Sequence, residues 1–134
     1  MIDQDLVAFI VALGTGAADR VYTGNAPQGT LHPFVVVRRT GGTTPLTLGG
    51  RSLFARSQYA AHVIHKGKEE SGAGGYNDAL PIALTIQSNL HGFRGAMGST
   101  TVQSARCLQE PVDASEIDGD KVIRWLQSEF LIVH

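Results

Sequence analysis

"LHGFRGAMGSTTVQ", residues 90 to 103, is the stretch on which the reading of this chain turns. It sets Gly92, Gly95 and Gly98 within seven residues, with Phe93 and Arg94 between the first two, and then becomes β-like. Glycines at this density either cradle a phosphate or place a helix against a strand. A phosphate loop puts its glycines ahead of a helix, so that the free N–H groups of the helix N-terminus face the anion. Here they follow a helical run. Gly92 is therefore expected to end that helix in a left-handed conformation, and Gly95 and Gly98 to turn the chain into a strand. Phe93 is expected to fold back onto the helix stripe. All three glycines are read as structural turns.

The helix before this stretch carries Ala79, Ile82, Ala83, Ile86 and Leu90 on one stripe. Asn77 or Asp78 is expected to cap it, with Pro81 in or near the first turn, where a missing N–H costs least. "GKEESGAGG", residues 67 to 75, reads as a flexible connection; Lys68 precedes its glycines, so it is not a phosphate loop. Beyond the glycines, strands around residues 100–108 and 122–133 finish the chain, separated by an acidic loop.

At the other end, Leu6, Phe9, Ile10 and Leu13 recur at helical spacing. Asp3 is the expected N-cap, Asp5 sits in the first turn, Ile2 and Val7 can form a hydrophobic staple, and Gly14 supplies the stop. A short strand over residues 20–23 follows. Pro33 opens "PFVVVRRT", whose Val35 to Val37 run is the clearest strand signal. "GGTTPLTLGGRS" reads as a loop or long hairpin tip. From Leu53 to His65 the residues alternate, and the set Leu53, Ala55, Ser57, Tyr59, Ala61, Val63 is assigned to the core. The order α-β-β-β-α-β-β implies an α+β fold, a mixed, mostly antiparallel sheet with two helices packed on it. At 134 residues one domain is expected, able to bury roughly two-thirds of its unfolded surface without a disulfide or a metal.

Charge is unevenly placed although the net charge is only −1. Arg20, Arg38, Arg39, Arg51, Arg56, Lys66 and Lys68 occur with no acid among them, whereas Glu110, Asp113, Glu116, Asp118 and Asp120 occur with no base. Segregation of this kind marks a nucleic-acid face, a partner face or only chance. The basic stretch lacks the aromatic interleaving of nucleic-acid modules. The acidic stretch fails the calcium-loop spacing, since Ile117 and Gly119 fall at the wrong positions. His62 and His65 are three apart on a strand and so face opposite sides, which defeats a shared metal site. His91, near a helix end, is favoured there by the dipole, and Cys107 reads as a small packed residue. No nucleophile and base stand at a recognisable spacing, so no catalytic residue, metal or cofactor is expected. Asp3 and Asp5 stand where an export signal would carry basic residues, and the protein is expected to be made in the cytoplasm.

Taken together, "DRVYTGNAPQGTLHPFVVVRR", "GGRSLFARSQYAAHVI" and a helix closed by "LHGFRGAMG" before a long final strand resemble the tail completion proteins of long-tailed bacteriophages. These are the tail terminator, or tail-to-head joining, proteins of phages, prophages and gene transfer agents. The resemblance covers nearly the whole chain and fits less well at Gly67 to Gly75. It implies a ring, usually a hexamer, that caps the tail tube and joins it to the head connector or stopper, in the virion neck, after assembly in the host cytoplasm. Its partners would be further copies of itself, the tail tube protein and the connector, with no membrane. Arg38, Arg39, Arg51 and Arg56 are then expected to face Asp113, Glu116, Asp118 and Asp120 of a neighbouring copy; the rival expectation turns the arginines toward DNA in the lumen. The competing classes are a small α+β ligand-binding or enzymatic domain and a DNA-binding module.

Overall fold

The computed structural model describes residues 2–27, 30, 33–43, 46–47, 50–51, 55–65, 76–118 and 121–134. The chain opens with helix α1, Ile2–Ala12, which buries Ile2, Leu6 and Ile10. Gly14 ends it at φ +66°, as expected of a left-handed stop. Asp3, expected as the N-cap, lies inside the helix, because the helix already includes Ile2. Its carboxylate is used elsewhere, accepting a hydrogen bond from the Tyr59 hydroxyl.

Strand β1, Val21–Thr23, leads to β2, Phe34–Thr43. The short strands β3, Leu46–Thr47, and β4, Gly50–Arg51, form a two-stranded hairpin of their own, and β5, Arg56–His65, returns antiparallel to β2. The glycine-rich stretch at 67–75 lies outside the described residues. Helix α2, Tyr76–Leu90, buries Ala79, Ile82, Ala83, Ile86 and Leu90, the stripe that its spacing implies. It starts earlier than expected: Asn77 and Asp78 stand inside it, so neither is the cap, and Pro81 is its sixth residue rather than part of the first turn. A proline there leaves the carbonyl four residues back without its helical partner.

Strands β6, Gly95–Met97, and β7, Thr100–Val102, make a small antiparallel hairpin. The long strands β8, Ser104–Asp118, and β9, Lys121–Val133, complete a five-stranded sheet of order β1-β2-β5-β9-β8. Only the β1–β2 pair in it is parallel. The principal elements follow the expected α-β-β-β-α-β-β order in an α+β fold, with two small hairpins added. The acidic segment is not a loop between strands: Glu110, Asp113, Glu116 and Asp118 all belong to β8. Polar side chains are poor strand formers alone, but β9 offers a full ladder, and pairing overrides propensity. Pro111 falls where the β8 register shifts, between Gln109 and Val112, a place that tolerates a missing N–H.

Register fixes which residues share a face, since directly opposed residues in an antiparallel pair point the same way. Val35, Val37, Tyr59, Ala61, Val63, Leu126, Phe130 and Ile132 belong to the core cluster with both helices. Of the alternation assigned to the core, Ser57, Tyr59, Ala61 and Val63 are buried and it continues to the buried His65, while Ala55 is half-buried and Leu53 lies outside the described residues.

The quoted segment works as a clasp. Gly92 has φ +83° and its N–H donates to the Ala105 carbonyl at 2.8 Å, tying the end of α2 to β8. Phe93 packs against the core, edge-on to Phe9 of α1 at 4.8 Å between ring centroids. Gly98, at φ +58°, sits in the β6–β7 turn against Asp5. Asp5 accepts hydrogen bonds from Ser99 Oγ at 3.0 Å and Thr100 Oγ1 at 2.5 Å. The Thr100 bond, above all, holds the Asp5 carboxyl at a pKa of about 2.

Candidate assembly surfaces

The charged residues separate along the strands. Arg38 and Arg56 are exposed on the face opposite the core, on β2 and β5. Arg39 points to the other side, where its guanidinium donates to Ser57 Oγ at 3.0 Å. Arg51 pairs with Leu46 through the backbone in the β3–β4 hairpin. On β8, Asp113 is opposite Leu126, Glu116 opposite Ile123 and Asp118 opposite Lys121; Asp120 lies outside the described residues. In register, Arg56 aligns with Val133 at one end of β9, and His65 with Arg124 at the other. Glu116 lies one step beyond Arg124. Ten residues of extended strand span about 30 Å, several times the ~8 Å screening length at physiological salt. Arg56 and Glu116 therefore cannot neutralise each other within one chain.

Hairpin pairing also does what the linear charge pattern hides. It brings Lys121 opposite Asp118 and Arg124 opposite Ser115, so the acidic tip carries two bases on its partner strand.

The sheet face away from the core carries a mixed set in rows. One row runs Phe34, Ile64, Trp125, Ala114; the next runs Tyr22, Val36, His62, Gln127, Val112. No described helix packs on this face, and Val36 and Ala60 are buried there outside the core cluster. Trp125 stacks on His62 with centroids 5.7 Å apart, and its indole N–H donates to Gln127 Oε1 at 3.3 Å. Burial, and secondarily the Arg38 charge, lowers the His62 pKa, so its ring is neutral at pH 7. Ile123 and Val112 remain 38% and 46% exposed beside them.

Three polar arrangements escaped the sequence reading. His65 lies fully buried with Nε2 3.7 Å from Asp113 Oδ1, across β9. The alternation that continued to His65 was the available signal; Asp113 became its neighbour only through sheet order. Ser57 Oγ lies 2.8 Å from His134 Nε2 while accepting from Arg39. Burial first, then the Arg39 charge, lowers the His134 pKa. With Ser57 fully buried, this trio joins β2 and β5 to the end of β9 and offers a substrate no approach to the hydroxyl. Tyr59 is the third case; burial and the Asp3 carboxylate raise its pKa and keep the phenol protonated as a donor.

His91 lies just past the end of α2, and its Nδ1 accepts from the Cys107 backbone N–H at 2.9 Å. The Cys107 thiol is partly buried, and burial pushes its pKa up, away from the reactive range. Among the described residues no three His, Cys, Asp or Glu side chains converge on a metal-sized site, and no helix is long and apolar enough to cross a membrane.

No family model and no curated protein matches the chain. Among solved structures, a chain of the virion of a native gene transfer agent particle matches with a TM-score of 0.61 at 16% sequence identity. The match covers 94% of this chain and 84% of that one. The likeness is one of fold.

Proposed function

We propose that this chain is a structural virion protein, its 134 residues acting as one domain that assembles into a ring between tail tube and head connector. The observation that carries the reading is the fold shared, over 94% of the chain, with a component of a gene transfer agent virion. The resemblance of "RVYTGNAPQG", "PFVVV" and "LHGFRGAMG" to tail completion proteins supports the same reading from the sequence side. A ring of six copies, contacts to tube and connector proteins, a non-catalytic role and assembly in a bacterial cytoplasm all belong to this proposal.

Within it, Arg38, Arg51 and Arg56 of one copy face the acidic β8 segment of the next. The distance between Arg56 and Glu116 along the sheet supports this arrangement, because a head-to-tail ring uses two different surfaces of each copy. Exposed ion pairs contribute only about 0–1 kcal/mol each, so charge sets register and rate while apolar contacts hold the ring. Electron microscopy of the purified protein, alone and with tail tubes, tests the proposal. Rings seated on tube ends are expected. Tubes that stay uncapped at saturating protein would refute the joining role.

A further inference from the structure

We propose that the outer edge of β8 pairs, strand to strand, with the open stretch of β2 on a second copy, making one sheet continuous from copy to copy; the inference rests on the ring reading above. β8 is last in the sheet order, and the end of α2 meets its outer side at Ala105 and Cys107, through the Gly92 N–H on the Ala105 carbonyl and His91 Nδ1 on the Cys107 N–H. At the opposite side of the sheet, β1 accompanies β2 only from Val35 to Val37. Among the described residues, β2 from Arg38 onward pairs with β5 alone, and β8 from Val112 onward pairs with β9 alone. An edge of this kind presents a row of backbone donors and acceptors to which another strand can add.

The direction of those backbone groups follows from register, because successive residues of an antiparallel strand turn their N–H and C=O to alternate sides. The Val35 N–H donates to the Arg20 carbonyl, and the Val37 carbonyl accepts from the Gly24 N–H, so both residues point away from β5. Arg39, two residues on, points the same way. Carried across the sheet through the aligned residues Val35, Val63, Leu126 and Asp113, the alternation turns Asp113 and Ser115 away from β9. Ala105, aligned with Ile132, obeys the same alternation, since its carbonyl faces outward to Gly92.

Charge selects which edge meets which. β2 from Arg38 to Thr43 holds two arginines and no acid, whereas β8 from Val112 to Asp118 holds Asp113, Glu116 and Asp118 and no base. Opposite charges across a strand pair are stabilising and like charges destabilising. Two β8 edges, or two β2 edges, therefore repel each other, and the β8 edge repels the phosphates of DNA. Strand direction fits the same pairing. β2 and β9 run one way, β5 and β8 the other. Antiparallel addition of β8 to the next copy's β2 thus keeps every copy the same way up, so successive copies turn about one axis and can close. Parallel addition would invert alternate copies. Because β1 covers β2 through Val37, the tip of the β8–β9 hairpin stops at Arg38, within diagonal reach of Glu116 on the sheet face that both share.

Proline separates the two sides of β8. Ser115→Pro removes an N–H that points outward, so the β9 ladder and the fold, checked by circular dichroism, are expected to survive; Ala114→Pro removes one that β9 uses and is expected to destabilise the chain. Oligomer size is followed by sedimentation across a concentration series, and hydrogen exchange by mass spectrometry on peptides covering residues 38–43 and 112–118. In the wild type, exchange in both peptides is expected to slow by roughly ten-fold or more as copies assemble. Ser115→Pro is expected to raise the concentration for half-assembly by roughly ten-fold or more. Arg38→Glu is expected to weaken assembly, and Arg38→Glu with Glu116→Arg to restore most of it. Rings whose two edge peptides exchange as fast as in the single copy, a folded Ser115→Pro that assembles like the wild type, or a double variant no better than Arg38→Glu would overturn the strand pairing while leaving the ring reading intact. If Ser115→Pro does not fold, the exchange of the wild type decides. Protection that appears only when tail tubes are added would make the tube protein the occupant and overturn the second copy. A wild type that stays monomeric even with tail tubes present would overturn both the pairing and the ring.

Discussion

Placing a methyl group at Gly98 probes the clasp between the β6–β7 turn and α1. A Cβ there would collide with Asp5 Oδ1 and lie 2.8 Å from its Cγ, and the backbone is at φ +58°. Gly92 is the internal control: its φ is +83°, but nothing lies within 4 Å of its would-be Cβ. Gly92→Ala should therefore show the conformational penalty alone, about 1–2 kcal/mol for an L-residue in the left-handed region. Gly98→Ala carries the same penalty plus displacement of Asp5, which must release Ser99 and Thr100. Asparagine sharpens the comparison, since it tolerates left-handed backbone better than alanine does. Gly92→Asn should recover most of the loss, whereas Gly98→Asn should not, because its Cβ meets the same carboxylate. For a chain of this size each kcal/mol moves Tm by about 3–6 °C. Urea and thermal unfolding at fixed protein concentration, followed by circular dichroism, measure the four variants. Equal destabilisation by Gly92→Ala and Gly98→Ala, or recovery of both by asparagine, would refute the close approach as the reason for glycine at 98.

Acid should loosen the same clasp. The Asp5 pKa is depressed from 3.8 to about 2, so its contribution is complete above about pH 4 and disappears as pH falls through 2; carboxyl titration by NMR should place its midpoint near 2, and a midpoint near 4 would contradict the hydrogen bonds. At the alkaline end the sign reverses for Tyr59, whose pKa is raised above 10. The stability it contributes is present below pH 10 and is lost as pH climbs further, so Tyr59→Phe should flatten alkaline unfolding and cost about 1 kcal/mol at neutral pH through the lost bond to Asp3. Neutralising Asp113, Glu116, Asp118 and Asp120 together should slow ring assembly at low salt and reduce its salt dependence. Light scattering that shows unchanged kinetics at both salts would move the arginines toward the lumen.

Much of the fold was legible because its signals are local. Leu6, Ile10 and the Ala79 to Leu90 stripe repeat at the helical period, and each stripe must be buried whatever lies beneath it. Val35 to Val37 and the alternation through Val63 show strands the same way. Gly14 and Gly92 are read from the requirement of a helix stop for positive φ, which few other residues meet. The helix stop in "LHGFRGAMG" is read without any distant residue, whereas the β6–β7 hairpin that Gly95 opens was not foreseen from the sequence.

What pairs with what was decided only in three dimensions. Asp3 looked like a helix cap because capping is a rule about neighbours three residues apart, yet its partner, Tyr59, is 56 residues away. The acids from Glu110 to Asp118 looked like a loop because polarity is counted along the chain; β9 supplied the ladder that made them a strand. His65 meets Asp113 through sheet order, and Gly98 meets Asp5 through the docking of a hairpin on a helix. The uncharged run from Ala79 to Phe93 is visible as composition, but only the packed fold decides which of its residues stay exposed. Periodicity tells a segment which of its faces must leave water. Which other segment receives that face depends on contacts whose sequence separation no local pattern encodes.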